Sequence, residues 1–229
     1  MANLRAISGS GTRTIAARLL VDGEHYDELV ARAIAGAVVS VWISTANMKT
    51  MLVEAPIGTR ARARGRYISF LETLGDLVRR GVDVRILHAS PPSRPLAKEI
   101  ARLNASGGAT RAKAVALRRC PRVHLKMIAV DGRLLYLGSA NLTGAGLGAK
   151  GDGRRNFEMG IVTDDESMLD AAQERFDQIW RGAECKACKL RSVCDAPLDL
   201  RTPPSGARLV RLTSRGGSTR ARRSPSSPR

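Results

Sequence analysis

Between Val123 and Asn141 the chain reads VHLKMIAVDGRLLYLGSAN. His124, Lys126 and Asp131 stand in the spacing H-x-K-x4-D, and Gly138, Ser139 and Asn141 follow as G-S-x-N. These residue types suit phosphoryl transfer. A neutral imidazole is a nucleophile for phosphorus. An ammonium and a cluster of hydrogen-bond donors can hold the charged phosphate oxygens, work that a metal ion does elsewhere. The leaving oxygen then needs an acid.

A hairpin would bring these groups together. Asp131-Gly132, between two apolar segments, reads as a two-residue turn. Val130 then pairs with Arg133, His124 lies opposite Ser139, and Lys126 opposite Leu137. Alternation puts His124, Lys126, Ile128 and Val130 on one face. Asn141 continues the second strand just past Ser139. A bulge would break this register. Asp131 falls in the turn itself and is assigned a shaping role.

With every named position filled, the stretch resembles the signature of the phospholipase D superfamily, metal-independent phosphodiesterases that include phospholipases, phospholipid synthases and nucleases. The resemblance implies a mixed β-sheet flanked by helices on both faces, an α/β sandwich, here over residues 20–182. It implies no cofactor for catalysis. Superfamily members with one motif form a dimer and use the same histidine from each subunit. The chain has one motif and three histidines, His25, His88 and His124, so the resemblance implies a homodimer with the active site on its axis. Members often carry a downstream acid that hydrogen-bonds the catalytic histidine, and Glu158 matches it.

The remaining elements follow from periodicity. Residues 1–19 read as a flexible N-terminus. Helices are expected over 25–36, around Phe70–Val78 with Gly81 as the C-terminal cap, over Leu96–Leu103, and after Asp164-Asp165 to Gly182. Strands are expected at Val38–Ile43, Val82–His88 and Asn156–Val162. His25 is read as a surface residue and His88 as a structural one. Asn47 and Lys49, in the polar run after Ile43, are possible substrate contacts.

The net charge is +17. Eight arginines and no acid occupy 201–229, a tail expected to be disordered, which leaves +9 on residues 1–200. A basic balance favours nucleic acid or anionic lipid as partner. Arg60, Arg62, Arg64 and Arg66 alternate with other residues in an extended strip suited to a phosphate backbone. Lys150, Arg154 and Arg155 lie in the Gly-rich connection after Asn141, where backbone N–H groups can approach an anion. Aromatic residues are 3% of the chain, so base stacking is not expected to carry affinity. No apolar run is long enough for a transmembrane segment, and a secretory leader is not evident; the protein is read as cytoplasmic.

Cys185, Cys188 and Cys194 form C-x2-C-x5-C, and Cys120 is the only other cysteine. This suits one tetrahedral metal or a four-iron cluster in a metal-binding segment over 183–200. The pattern looks like the iron–sulfur staple of RecB-type and CRISPR-associated nucleases, in the cysteines alone. Structural zinc, a 4Fe-4S cluster and free or bridged thiols remain three readings, with disulfides disfavoured in cytoplasm.

The first functional expectation is a nuclease acting on DNA or RNA. The second is a phosphodiesterase or transferase acting on phospholipid headgroups. A nucleic-acid-binding protein with a vestigial site is a third, and the intact motif argues against it.

Overall fold

The computed structural model describes residues 14–106 and 115–200. The expected tail over 201–229, residues 1–13, and the basic residues Arg111 and Lys113 lie outside them. A seven-stranded mixed sheet organises the rest. Its strands are β1 (Ala17–Val21), β2 (Ser40–Thr45), β5 (Asp83–His88), β6 (Ala116–Arg119), β7 (Met127–Val130), β8 (Leu134–Gly138) and β9 (Met159–Thr163). They lie in the order β1-β9-β8-β7-β2-β5-β6. Strands β2, β5 and β6 run parallel, and β7, β8, β9 and β1 join them antiparallel. A separate antiparallel pair, β3 (Leu52–Glu54) with β4 (Tyr67–Ser69), follows β2.

Helices cover both faces. Alternation along β7 sends Ile128 and Val130 to one core and Met127 and Ala129 to the other. The larger core receives a π-helical segment (Tyr26–Ile34), α2 (Phe70–Arg79) and α3 (Arg94–Ser106). Leu71, Leu74, Leu77 and Val78 recur at helical spacing and are buried, each contributing roughly 1.5–3 kcal/mol relative to exposure. The smaller core is built on α4 (Glu166–Trp180), whose Asp165 caps its first turn by accepting from Met168 N at 2.9 Å. Trp42, Phe176 and Trp180 stack there in series, 5.3 and 5.6 Å between centroids.

Four expectations are corrected. Residues 17–19 belong to β1, an edge strand whose Leu19 and Val21 remain exposed, so the segment lacks an apolar inward alternation. Val38 and Val39 are not strand residues but are exposed, and β2 begins at Ser40. His25 is fully buried rather than on the surface. The arginines at 60–66 are not an extended strip: Arg60–Ala63 is a one-turn helix, α1, capped by Thr59.

His88 is buried, and its Nδ1–H donates to Ser90 O at 2.9 Å. Burial, opposed by that bond and aided by the Arg119 charge, holds its pKa below 6.5. The ring is therefore neutral in the fold and gains a proton more easily when unfolded. The stability this contributes is complete above the unfolded pKa and is lost as pH falls below it toward the depressed folded value. His88→Gln should flatten the stability profile below pH about 6.5. Chemical unfolding from pH 7 to 5 checks this, and an unchanged slope would count against it.

Candidate active site

The hairpin turn is where the sequence places it, but the pairing is not. Asp131 and Gly132 both have positive φ, 55° and 63°, and Arg133 N donates to Val130 O at 2.9 Å. Val130 nevertheless pairs with Leu134, and Met127 with Leu137, so Arg133 is an extra residue that shifts the register by one. Gly138 N donates to Lys126 O at 3.2 Å. Gly138, not Leu137, thus lies across from Lys126, and His124 is not opposite Ser139. His124 and Lys126 precede β7 in irregular backbone. His124 is exposed, Lys126 is half-buried, and Lys126 Nζ donates to His124 O at 2.9 Å.

Asp131 shapes the hairpin's attachment to β2. Its carboxylate accepts from Val38 N at 3.0 Å, Val39 N at 2.7 Å and Ser40 N at 2.8 Å. Asp131 N donates back to Ser40 O at 2.9 Å.

Asn141, three residues beyond the end of β8, meets the carboxyl end of β2. Its Oδ1 accepts from Asn47 N at 3.1 Å and, more weakly, from the Thr45 hydroxyl at 3.3 Å. That hydroxyl donates to Asn47 O at 2.7 Å and accepts from Leu142 N at 3.0 Å. The Asn141 side-chain carbonyl is thereby occupied, while its amide N–H2 has no hydrogen-bond partner among the described residues. Asn47 thus acts on Asn141 through its backbone. Lys49 N donates to Leu142 O at 3.1 Å, which steadies the same loop.

Ser139 belongs to a second cluster. Its hydroxyl donates to Glu158 Oε2 and accepts from Met159 N at 3.1 Å. Glu158 Oε1 accepts from Asn156 Nδ2 at 2.9 Å. The Glu158 carboxylate is buried and serves Ser139 and Asn156; among the described residues no hydrogen bond joins it to His124. The apolar side of the 157–161 alternation faces outward, with Phe157 96% and Met159 60% exposed.

Sequence reasoning missed the support beneath this cluster. Asp22, with φ 47°, accepts from Glu158 N at 2.9 Å through Oδ1, and Asp22 N donates to Glu158 O at 2.9 Å. Tyr136 is fully buried, accepts from Ala140 N at 3.3 Å, and meets the His25 ring edge-on at 5.3 Å. Burial pushes the Tyr136 hydroxyl up to about 12, helped by the nearby Glu158 charge. Gly138 and Gly160 are glycine because Tyr136 fills their side-chain space. A Cβ at Gly160 would stand 2.3 Å from Tyr136 Cε2, and one at Gly138 2.6 Å from Cζ. The only sequence signal was a tyrosine among apolar residues, two positions before the G-S-x-N glycine.

The basic residues differ in availability. Arg60, Arg64 and Arg66 are exposed on the loop between β3 and β4, whereas Arg62 pairs with Glu54. Lys150 and Arg154 are exposed, but Arg155 pairs with Asp152 and lies over Gly23.

Cys120, Cys185, Cys188 and Cys194 are free thiols that line one pocket. Among the described residues, no group of three or more His, Cys, Asp or Glu is already arranged to hold a metal ion. Among the same residues, no helix is long and apolar enough to cross a membrane.

A family profile described as cardiolipin synthase, PLD-like domain, matches residues 30–180. A search of curated proteins found no match. The fold is similar to a solved phospholipase D family member, Nuc, from Salmonella typhimurium. That match has 21% identity and a TM-score of 0.50, over 73% of this chain and 95% of that one. NucT from Helicobacter pylori matches at 17% identity and a TM-score of 0.43, over 72% and 95% of the two chains. The archaeal chromatin protein TrmBL2 matches at 13% and 0.44, over 72% and 51%.

Proposed function

The chain belongs to the phospholipase D-like domain family, and from that premise we propose that it is a phosphodiesterase, a nuclease cleaving DNA or RNA through a phosphohistidine intermediate. One observation carries the reading. The H-x-K segment, the Asn141 amide and the Ser139–Glu158 pair all gather at the end of the sheet where β2 finishes. In the proposed reaction a ring nitrogen of His124 attacks phosphorus while the P–O bond to the leaving group breaks. His124 of a second protomer gives its proton to that oxygen. It then takes a proton from water, which attacks the phosphohistidine and frees the first ring. Lys126 and the Asn141 amide hold the phosphate oxygens. Ser139 and Glu158 set the floor of the site, and in the dimer Glu158 orients a histidine ring.

The dimer is part of the proposal. Leu125, Met159 and Val21 are 41%, 60% and 40% exposed around the motif, with Phe157 beside them, an apolar surface suited to a second copy. The charge of +17 and the exposed Arg60, Arg64, Arg66, Lys150 and Arg154 support a polyanionic substrate. The same apolar surface favours one rival, a headgroup phosphodiesterase resting on lipid.

The test incubates the protein, with EDTA present, with plasmid, single-stranded oligonucleotides, RNA and anionic phospholipid vesicles. Nucleic-acid cleavage is expected, with affinity falling steeply in salt, by a slope of about −0.7 to −0.9 per phosphate contacted. Headgroup release with intact nucleic acid would overturn the nuclease reading.

A further inference from the structure

The chain has four cysteines, and fold and sequence bring all four to one place. Cys120 lies between β6 and β7. Cys185 and Cys188 follow α4, and Cys194 follows a short turn at Arg191–Val193. We propose that these four side chains form a tetrathiolate zinc site that clasps the 183–200 segment to the root of the catalytic hairpin.

Three independent features support this. First, the four thiols share their pocket with three arginines, Arg119, Arg122 and Arg191. Guanidinium groups beside the sulfurs offset part of the −2 charge that four thiolates leave on a zinc ion. Second, each cysteine sits on a tight turn that presents it. Val123 N donates to Cys120 O at 3.0 Å, Cys188 N to Cys185 O at 3.2 Å, Arg191 N to Cys188 O at 3.0 Å, and Cys194 N to Arg191 O at 3.3 Å. Third, the segment cannot hold itself. Leu198 is the only hydrophobic side chain of 183–200 in the buried core. Its other ties are mostly surface ion pairs such as Arg119–Asp195, at 2.8 Å, which contribute little. Ordering so many residues around one buried leucine calls for a cross-link.

The sulfurs are gathered but not yet in ligand arrangement, so binding must draw them inward. Loading is then coupled to ordering of the segment. Four Zn–S bonds of about 2.3 Å replace four S–H bonds, and four protons leave to solvent. No oxidant or reductant is involved. Cys120 is four residues before His124, so the ion would fix the backbone entering the site while taking no part in bond cleavage.

The test uses the full chain purified in reductant without chelator. Elemental analysis should find about one zinc per chain. A mercurial that titrates thiols should release that zinc as four thiols react, read with a chromophoric zinc indicator. Cys188→Ser should lower zinc content by about tenfold or more. If that variant does not fold, the mercurial titration of the native chain decides alone. Metal-free protein whose four thiols alkylate as fast as a free peptide thiol overturns the site. So does a disulfide between any two of them, and iron with acid-labile sulfide overturns the assignment to zinc.

Discussion

His124→Ala should lose phosphodiester cleavage by on the order of 10⁴-fold or more, because removal of a nucleophile leaves only binding and electrostatic stabilisation. The fold should survive. The ring is exposed and makes no hydrogen bond among the described residues, so little packing is lost. Lys126→Ala should fall by a comparable order, since its ammonium meets the same phosphate in the proposed reaction. The shared-axis arrangement adds a sharper expectation. If both histidines serve one site, a mixed dimer with one His124→Ala subunit is inactive. Refolding equal amounts of wild-type and variant chains together should then give about a quarter of the wild-type turnover per dimer. A result near one half would mean each subunit works alone, and full activity in the pure variant would remove His124 from the chemistry.

Asp131→Ala should act on stability rather than on the chemical step. The carboxylate gathers three backbone N–H groups ahead of β2 and ties the hairpin turn to that strand. Val38 and Val39 are 71% and 62% exposed, so water replaces part of what is lost. A cost of about 1–2 kcal/mol follows, the range of a helix cap. Partial burial works against ionisation, but the bonds from Ser40, Val39 and Val38 outweigh it and hold the pKa below 3.8. A depressed carboxyl pKa contributes stability that is complete above the unfolded value and is lost as pH falls through the folded one. The variant should therefore differ from wild type at pH 7 and converge on it in strong acid. Urea unfolding at both pH values measures this. Wild-type stability with abolished turnover would instead make Asp131 a participant in the reaction.

What could be read in advance divides along physical lines. Asp131-Gly132 was legible as a turn because few residues tolerate consecutive positive φ. The seven-residue difference between Lys126 and Arg133 gave no sign that Arg133 would be surplus, since a bulge depends on which faces β8 must offer β7 and β9 together. The sheet covered by helices on both faces was legible through the signature and through helical spacing in α2 and α4. His25 was misplaced because its burial comes from Tyr136, a residue far along the chain. Asn141 was legible as a type, but its orientation rests on Asn47 N, a backbone group that no side-chain pattern encodes. Glu158 was legible as an acid near the site, and its buried bonds to Ser139 and Asn156 were not.

The paired bonds between Asp22 and Glu158 bear on how small a working piece of this chain can be. The family match begins at residue 30 and ends at 180. A fragment cut at those limits would keep His124, Lys126, Ser139, Asn141 and Glu158. It would discard the edge strand Ala17–Val21, along with Asp22 and His25. Glu158 would lose both its bonds to Asp22, Tyr136 would lose its edge-on neighbour, and β9 would become a raw sheet edge open to other strands. Such a piece would hold every signature residue and still be a poor enzyme, prone to aggregate. The smallest functional unit is therefore larger than the boundary at which the family becomes recognisable.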